Sequence, residues 1–168
     1  MVGSGFHIAL SREHAKRVFA LNDDVNLPPL IEEFKNDKTL LANSQVHDCK
    51  RTWDAIHRCL TDGTLDPEGG DFPLNHVILG GKKLHIGDDY AAVVVRPDMV
   101  TFIAEALHTV KEPDFRKRYF VLAEKGYDQP LNEKEYSYVW HMVQELRTFF
   151  EFCDEERFAV LFVGKMKE

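Results

Sequence analysis

Between Tyr136 and Cys153 the apolar positions Tyr136, Val139, Val143, Leu146, Phe150 and Cys153 recur three or four residues apart, the repeat of one helix face. Asn132, with Glu135 three residues later, supplies a capping-box-like start, and Asp154-Glu155-Glu156 closes this longest predicted helix. A second set, Tyr138, Met142, Phe149 and Phe152, widens the apolar arc to roughly 240° at 100° per residue. A surface helix needs much less. Either the helix is sandwiched between a sheet and other helices, or another chain covers part of it, with Trp140, Phe149 and Phe152 as candidate anchors of a partner or oligomer surface.

The same spacing links Val46, Cys49, Trp53, Ile56 and Leu60 and predicts a helix over 46–60, stopped by Thr61-Asp62-Gly63. Ahead of it, Phe6 to Leu10 reads as a strand and Ser11 as the N-cap of a helix reaching about Leu21. Asn22-Asp23-Asp24 ends that helix, and Pro28-Pro29 opens a short one through Phe34. After a Gly/Pro/Asp-rich loop over 62–75, a helical turn over Pro73–Leu79 ends at Gly80-Gly81. Lys82–Ile86 and Tyr90–Arg96 then flank Gly87-Asp88-Asp89 as a β-hairpin. Pro97-Asp98 starts a helix with Val100, Ile103, Ala104 and Leu107 inward; the next carries Phe115, Tyr119 and Leu122 and ends at Gly126. Arg157 to Val163 forms a last strand. With no repeat or linker, residues 1–168 predict one α+β domain, several helices packed around a small mixed or antiparallel sheet.

Composition adds few constraints. An apolar fraction of 44% over 168 residues is enough to build a core, which excludes a disordered chain. The formal charge of −7 and the absence of a basic cluster beyond Arg116-Lys117-Arg118 argue against nucleic-acid binding. Apolar runs such as Phe158–Val163 are too short to span a bilayer, and Met1–Ser11 lacks the charged and apolar segments of a signal peptide. The expectation is a cytoplasmic protein with no membrane contact. Cys49, Cys59 and Cys153, lacking CxxC spacing, suggest buried thiols rather than disulfides or a zinc site.

Phosphate-cradling loops, nucleophile elbows, HExxH and EF-hand spacings are all missing, so no cofactor and no metal are expected. His47 and His57 each stand two positions before a cysteine, but on a helix residues two apart face different ways, so neither pair reads as a catalytic couple. The remaining chemistry gathers after the Trp53 helix. His57, Asp66, His76, Asp89 and Tyr90 form a candidate pocket if the loop folds back, with a histidine as general base, an aspartate orienting it and Tyr90 as donor.

Trp53-Asp54-Ala55-Ile56-His57-Arg58-Cys59-Leu60-Thr61 resembles the Trp-x-x-(apolar)-His-x-x-Leu-Thr helix of the YfbM-like family, small bacterial proteins containing a domain of unknown function. Leu65-Asp66-Pro67, His76 to Gly81, Gly87 to Tyr90, Pro97 to Val100 and Leu146 to Phe150 continue the similarity over most of the chain. The resemblance implies a single α+β domain of helices around a small sheet and brings no catalytic residues. Acidic balance, the wide arc of the last helix and missing catalytic motifs together point to a protein-interaction module, regulatory or immunity-type, acting on a protein partner or as a homo-oligomer. The alternative is an enzyme or small-ligand binder using the loop after the Trp53 helix.

Overall fold

Strand positions that alternate between two apolar faces need cover on both sides, and the chain supplies it. The structure, a computed structural model, describes residues 1–21 and 23–168; the predicted break at Asn22 lies outside them. Strands β1 (Gly5–Leu10), β2 (Val46–Lys50), β3 (Lys82–Ile86), β4 (Tyr90–Val95) and β5 (Ala159–Lys165) form one sheet in the order β2-β1-β5-β4-β3. Every pairing is antiparallel, which settles the choice between a mixed and an antiparallel sheet.

Phe6, Ile8, Leu10, Ala92, Val94, Leu161 and Val163 point to one face. There they meet α1 (Arg12–Phe19), α2 (Leu27–Lys35) and α3 (Lys38–Ala42) through Val18, Leu30, Phe34 and Leu40. The alternate positions, among them Ala9, Val93, Val160 and Phe162, face a larger core. It is built by α4 (Trp53–Leu60), α5 (Pro97–Thr109), α6 (Glu112–Phe120) and α7 (Glu133–Glu156), with 3-10 turns at Leu74–Val77 and Leu122–Lys125. The product is three layers, helices on either side of a sheet whose middle strands are buried on both faces. No helix among the described residues is long and apolar enough to cross a membrane.

Local signals act where expected. The Ser11 hydroxyl accepts from the His14 amide, and the Asn132 side chain accepts from the Glu135 amide at the start of α7. Gly87-Asp88-Asp89 joins β3 to β4. The main departure is the predicted 46–60 helix. Val46–Lys50 pairs with the edge of β1, and only Trp53–Leu60 is helical. In a strand, positions three apart face opposite sides, and Val46 indeed packs on the smaller core and Cys49 on the larger. Lys50 takes a left-handed φ of 52°, and the chain then turns into α4. Cys49 and Cys59 therefore do not share a helix; all three cysteines are buried free thiols.

Trp53 is fully buried, and its place is made by glycine. Gly5 and Gly164 stand opposite each other on β1 and β5. A Cβ on Gly5 would lie 2.5 Å from the indole Cδ1, and one on Gly164 would lie 3.0 Å from Cε2. The ring thus rests on bare backbone while its Nε1–H donates to the Gly3 carbonyl at 3.0 Å.

Candidate functional site

The five residues proposed around the loop do not converge. His57 is buried on α4 and donates from Nε2 to the backbone carbonyl of Asp66, not to its carboxylate, at 2.9 Å. Burial lowers its pKa, and its Nδ1 has no partner. His76 lies in the 3-10 turn with Nδ1 2.6 Å from the side-chain oxygen of Asn75 and its ring edge-on to Phe72. Asp89 and Tyr90 belong to the β3–β4 hairpin, where they enclose His85. The His85 ring stacks on Tyr90 at 4.0 Å, with Asp89 at 2.9 Å from Nε2 and Asp24 at 2.7 Å from Nδ1. Tyr90 packs on the smaller core, across the sheet from the helix that carries His57.

Of the candidate anchors of a partner surface, Phe149 is buried in the fold, and Trp140 and Phe152 are partly buried. Phe149 is buried against His7, His47 and Phe150. Trp140 packs on Phe115, with the Arg147 guanidinium over its ring, and Phe152 packs on Phe158. Most of the wide apolar arc of α7 is thus covered by neighbours within the chain, with Tyr138 left exposed.

A cleft of about 530 Å³ opens elsewhere, between the β2–α4 turn, the end of α6, the loop leading into α7 and the first turns of α7. Ligand pockets generally measure about 300–1,000 Å³. Asp54, in the first turn of α4, forms part of the wall and is buried, its carboxylate accepting from Arg58 Nε at 2.6 Å. Burial raises its pKa against the pull of Arg58. Tyr119, Tyr127 and Tyr138 add aromatic wall, and Glu135 adds a second carboxylate that makes no ion pair among the described residues. The Tyr119 hydroxyl is buried without a hydrogen-bond partner, and burial together with the charge of Glu135 pushes its pKa up to about 12. The two basic side chains of the wall are already engaged, Lys50 with Asp48 and Arg51 with Glu168.

One further group joins β1, β2 and α7. His7 and His47 are directly opposed across the β1–β2 pair, and Cys49 follows His47 on the same face. His7 Nε2 lies 2.7 Å from the Val77 carbonyl and His7 Nδ1 3.2 Å from Cys49 Sγ. Sγ is 3.6 Å from His47 Nδ1, whose ring reaches the Glu145 carboxylate through Nε2 at 3.2 Å. Burial depresses His7 to about 3 and pushes the Cys49 thiol well up, so both are neutral. Placing residues 46–60 on a helix hid this group, because residues two apart on a strand face the same way. The signal available in the sequence was His7 itself, a titratable residue inside the apolar run Phe6–Leu10.

Residues 1–163 match the family described as a domain of unknown function (DUF1877). The chain belongs to the DUF1877 family. Its fold is similar to that of a solved structure, a protein of unknown function, YfbM from Escherichia coli, with a TM-score of 0.69. The two chains are 16% identical, and the match covers 98% of this chain and 99% of the other. No curated protein matches. Membership in DUF1877 agrees with the resemblance read from the Trp53 helix and the segments after it, and it assigns no activity.

Proposed function

We propose that this protein binds a small organic amine with a flat apolar body in the cleft between α4, α6 and α7. The observation that carries this reading is the pair of carboxylates in the cleft wall, exposed Glu135 without an ion pair among the described residues and Asp54 with one oxygen bonded by Arg58. The charge of the ligand follows from which wall groups are free. Lys50 and Arg51 are neutralised by their own partners, whereas Glu135 and one oxygen of Asp54 are open acceptors. Free acceptors call for a donor, and carboxylates for a cationic one. Exposed Tyr138 offers a ring face that attracts both cations and flat apolar groups, while the Tyr127 ring already carries the Arg58 guanidinium.

Calorimetric titration with tyramine, and with 4-hydroxyphenylacetate as an anion of similar size, tests the reading. Tyramine is expected to bind and the anion to fail. Glu135→Gln should weaken tyramine by about 10–100-fold, the worth of a hydrogen bond to a charged group. Equal binding of amine and anion, or none of either, would remove the proposal.

A further inference from the structure

We infer that His7, His47 and Cys49 form a binding site for a divalent thiophilic metal ion of the zinc class, with Val77 and Glu145 as its outer shell. The inference begins with a count of protons. A backbone carbonyl and a carboxylate can only accept, so the Nε2 atoms of His7 and His47, which face Val77 and Glu145, carry the ring protons. With both rings in that tautomer the Nδ1 atoms are bare lone pairs, and both face the sulfur of Cys49. The thiol has one proton. It can satisfy one imidazole, and the other nitrogen is left facing sulfur with nothing between them. Three electron-pair donors share a single hydrogen, a surplus that a cation removes.

The spacing fits such an ion. The three ligand atoms all lie within 4.8 Å of one another. With Zn–S near 2.3 Å and Zn–N near 2.0–2.1 Å, a tetrahedral centre sets nitrogen and sulfur about 3.6 Å apart. The observed N···S separations are 3.2 and 3.6 Å. The outer shell fits as well, since metal-bound histidines donate their second N–H to a carbonyl or carboxylate, which fixes the ring and its tautomer. Here one ring has each kind of partner.

Charge selects the ion. Binding moves the Cys49 proton to solvent and leaves a thiolate, so a divalent ion, one thiolate and the Glu145 carboxylate sum to zero. That balance suits a site whose His7 and Cys49 are wholly buried. A thiolate with two imidazoles favours zinc over magnesium or calcium, which prefer oxygen. No fourth His, Cys, Asp or Glu among the described residues completes the set, so one coordination position is left for water or another small ligand. His47 is the half-buried member, and its side, next to exposed Glu145, is the route from solvent.

The test uses the full chain after dialysis against a chelator, titrated with Zn²⁺ in competition with a chromophoric chelator and, separately, with Co²⁺. One equivalent should bind, and Co²⁺ should give the near-ultraviolet thiolate-to-cobalt absorption. Cys49→Ala and His47→Gln are expected to abolish that absorption. Glu145→Gln should weaken Zn²⁺ by about 10–100-fold, the usual effect of losing an outer-shell partner. His85→Gln, which removes the exposed His–Asp cluster on the hairpin, should change nothing. His47→Gln, whose side chain is not fully buried, keeps the test decisive if Cys49→Ala does not fold. Absence of stoichiometric metal, or a cobalt spectrum unchanged in His47→Gln, would overturn the inference and leave the three side chains a hydrogen-bond network in which a protonated His47 donates to sulfur.

Discussion

The indole of Trp53 lies across two facing residues that have no side chains, Gly5 on β1 and Gly164 on β5. The tryptophan could be read from the sequence as core because it sits in the apolar stripe of α4. The glycines could not, since nothing local distinguishes a glycine that turns the chain from one that makes room for a ring far away in sequence. Trp53→Ala should cost about 3–5 kcal/mol, as large aromatic truncations do. Gly164→Ala should cost about 1–3 kcal/mol by overpacking. In the Trp53→Ala background most of that second cost should vanish, because the added methyl enters the space the indole held. A double-mutant cycle from urea unfolding measures the coupling; the same cost in both backgrounds would mean that Gly164 is needed for some other reason. His85 carries a different prediction. The hydrogen bond to Asp89 raises its pKa, burial opposes, and Asp24 adds to the rise. A group with a raised folded value gives stability that is complete below its unfolded value, near 6.5 for histidine, and fades as pH climbs through the folded one. His85→Gln should therefore lower the urea midpoint more at about pH 5.5 than at about pH 8.5. Equal effects at the two values would show that the two aspartates do not act through the charge of His85.

At the level of elements, local chemistry was a sound guide where an element is specified by its own residues. The hairpin β3–β4 falls where the Gly-Asp-Asp turn puts it, and α7 begins at its cap. Asn132→Ala should cost about 1 kcal/mol, lowering the urea midpoint with an unchanged slope; a changed slope would point to fraying of the start of α7. The short α3 was missed because five residues carry too little pattern, although Asp37 caps it through the amides of Thr39 and Leu40. Strand β2 was misread for a different reason. Val46 and Cys49 continue the helical spacing of α4 by coincidence, and only the free edge of β1, supplied by residues 40 positions earlier, makes the segment extended. That one error also concealed the His47–Cys49 pair.

On the scale of the whole molecule, class and layering were legible, because apolar alternation and helical stripes are summed over many residues. The sites were not. The cleft draws its wall from the first residues, the β2–α4 turn and residues 119–139, and His7 meets His47 only because β1 and β2 are neighbours. The loop after α4 looked active because it concentrates polar residues, but its histidines are consumed by nearby oxygens. Sheet order has one more result. The first strand lies against the last, and β5 alone connects the β1–β2 pair to the β3–β4 hairpin. Roughly 150 residues separate β1 from β5, a delay on the order of ten seconds on a ribosome adding about 5–20 residues per second. Throughout that interval a nascent chain holds Phe6, Ile8 and Leu10 beside an unclaimed strand edge, and Trp53 has only half its seat. Closure of the sheet therefore waits for β5, and until it emerges the open edge of β1 is the part of the chain most exposed to wrong pairing.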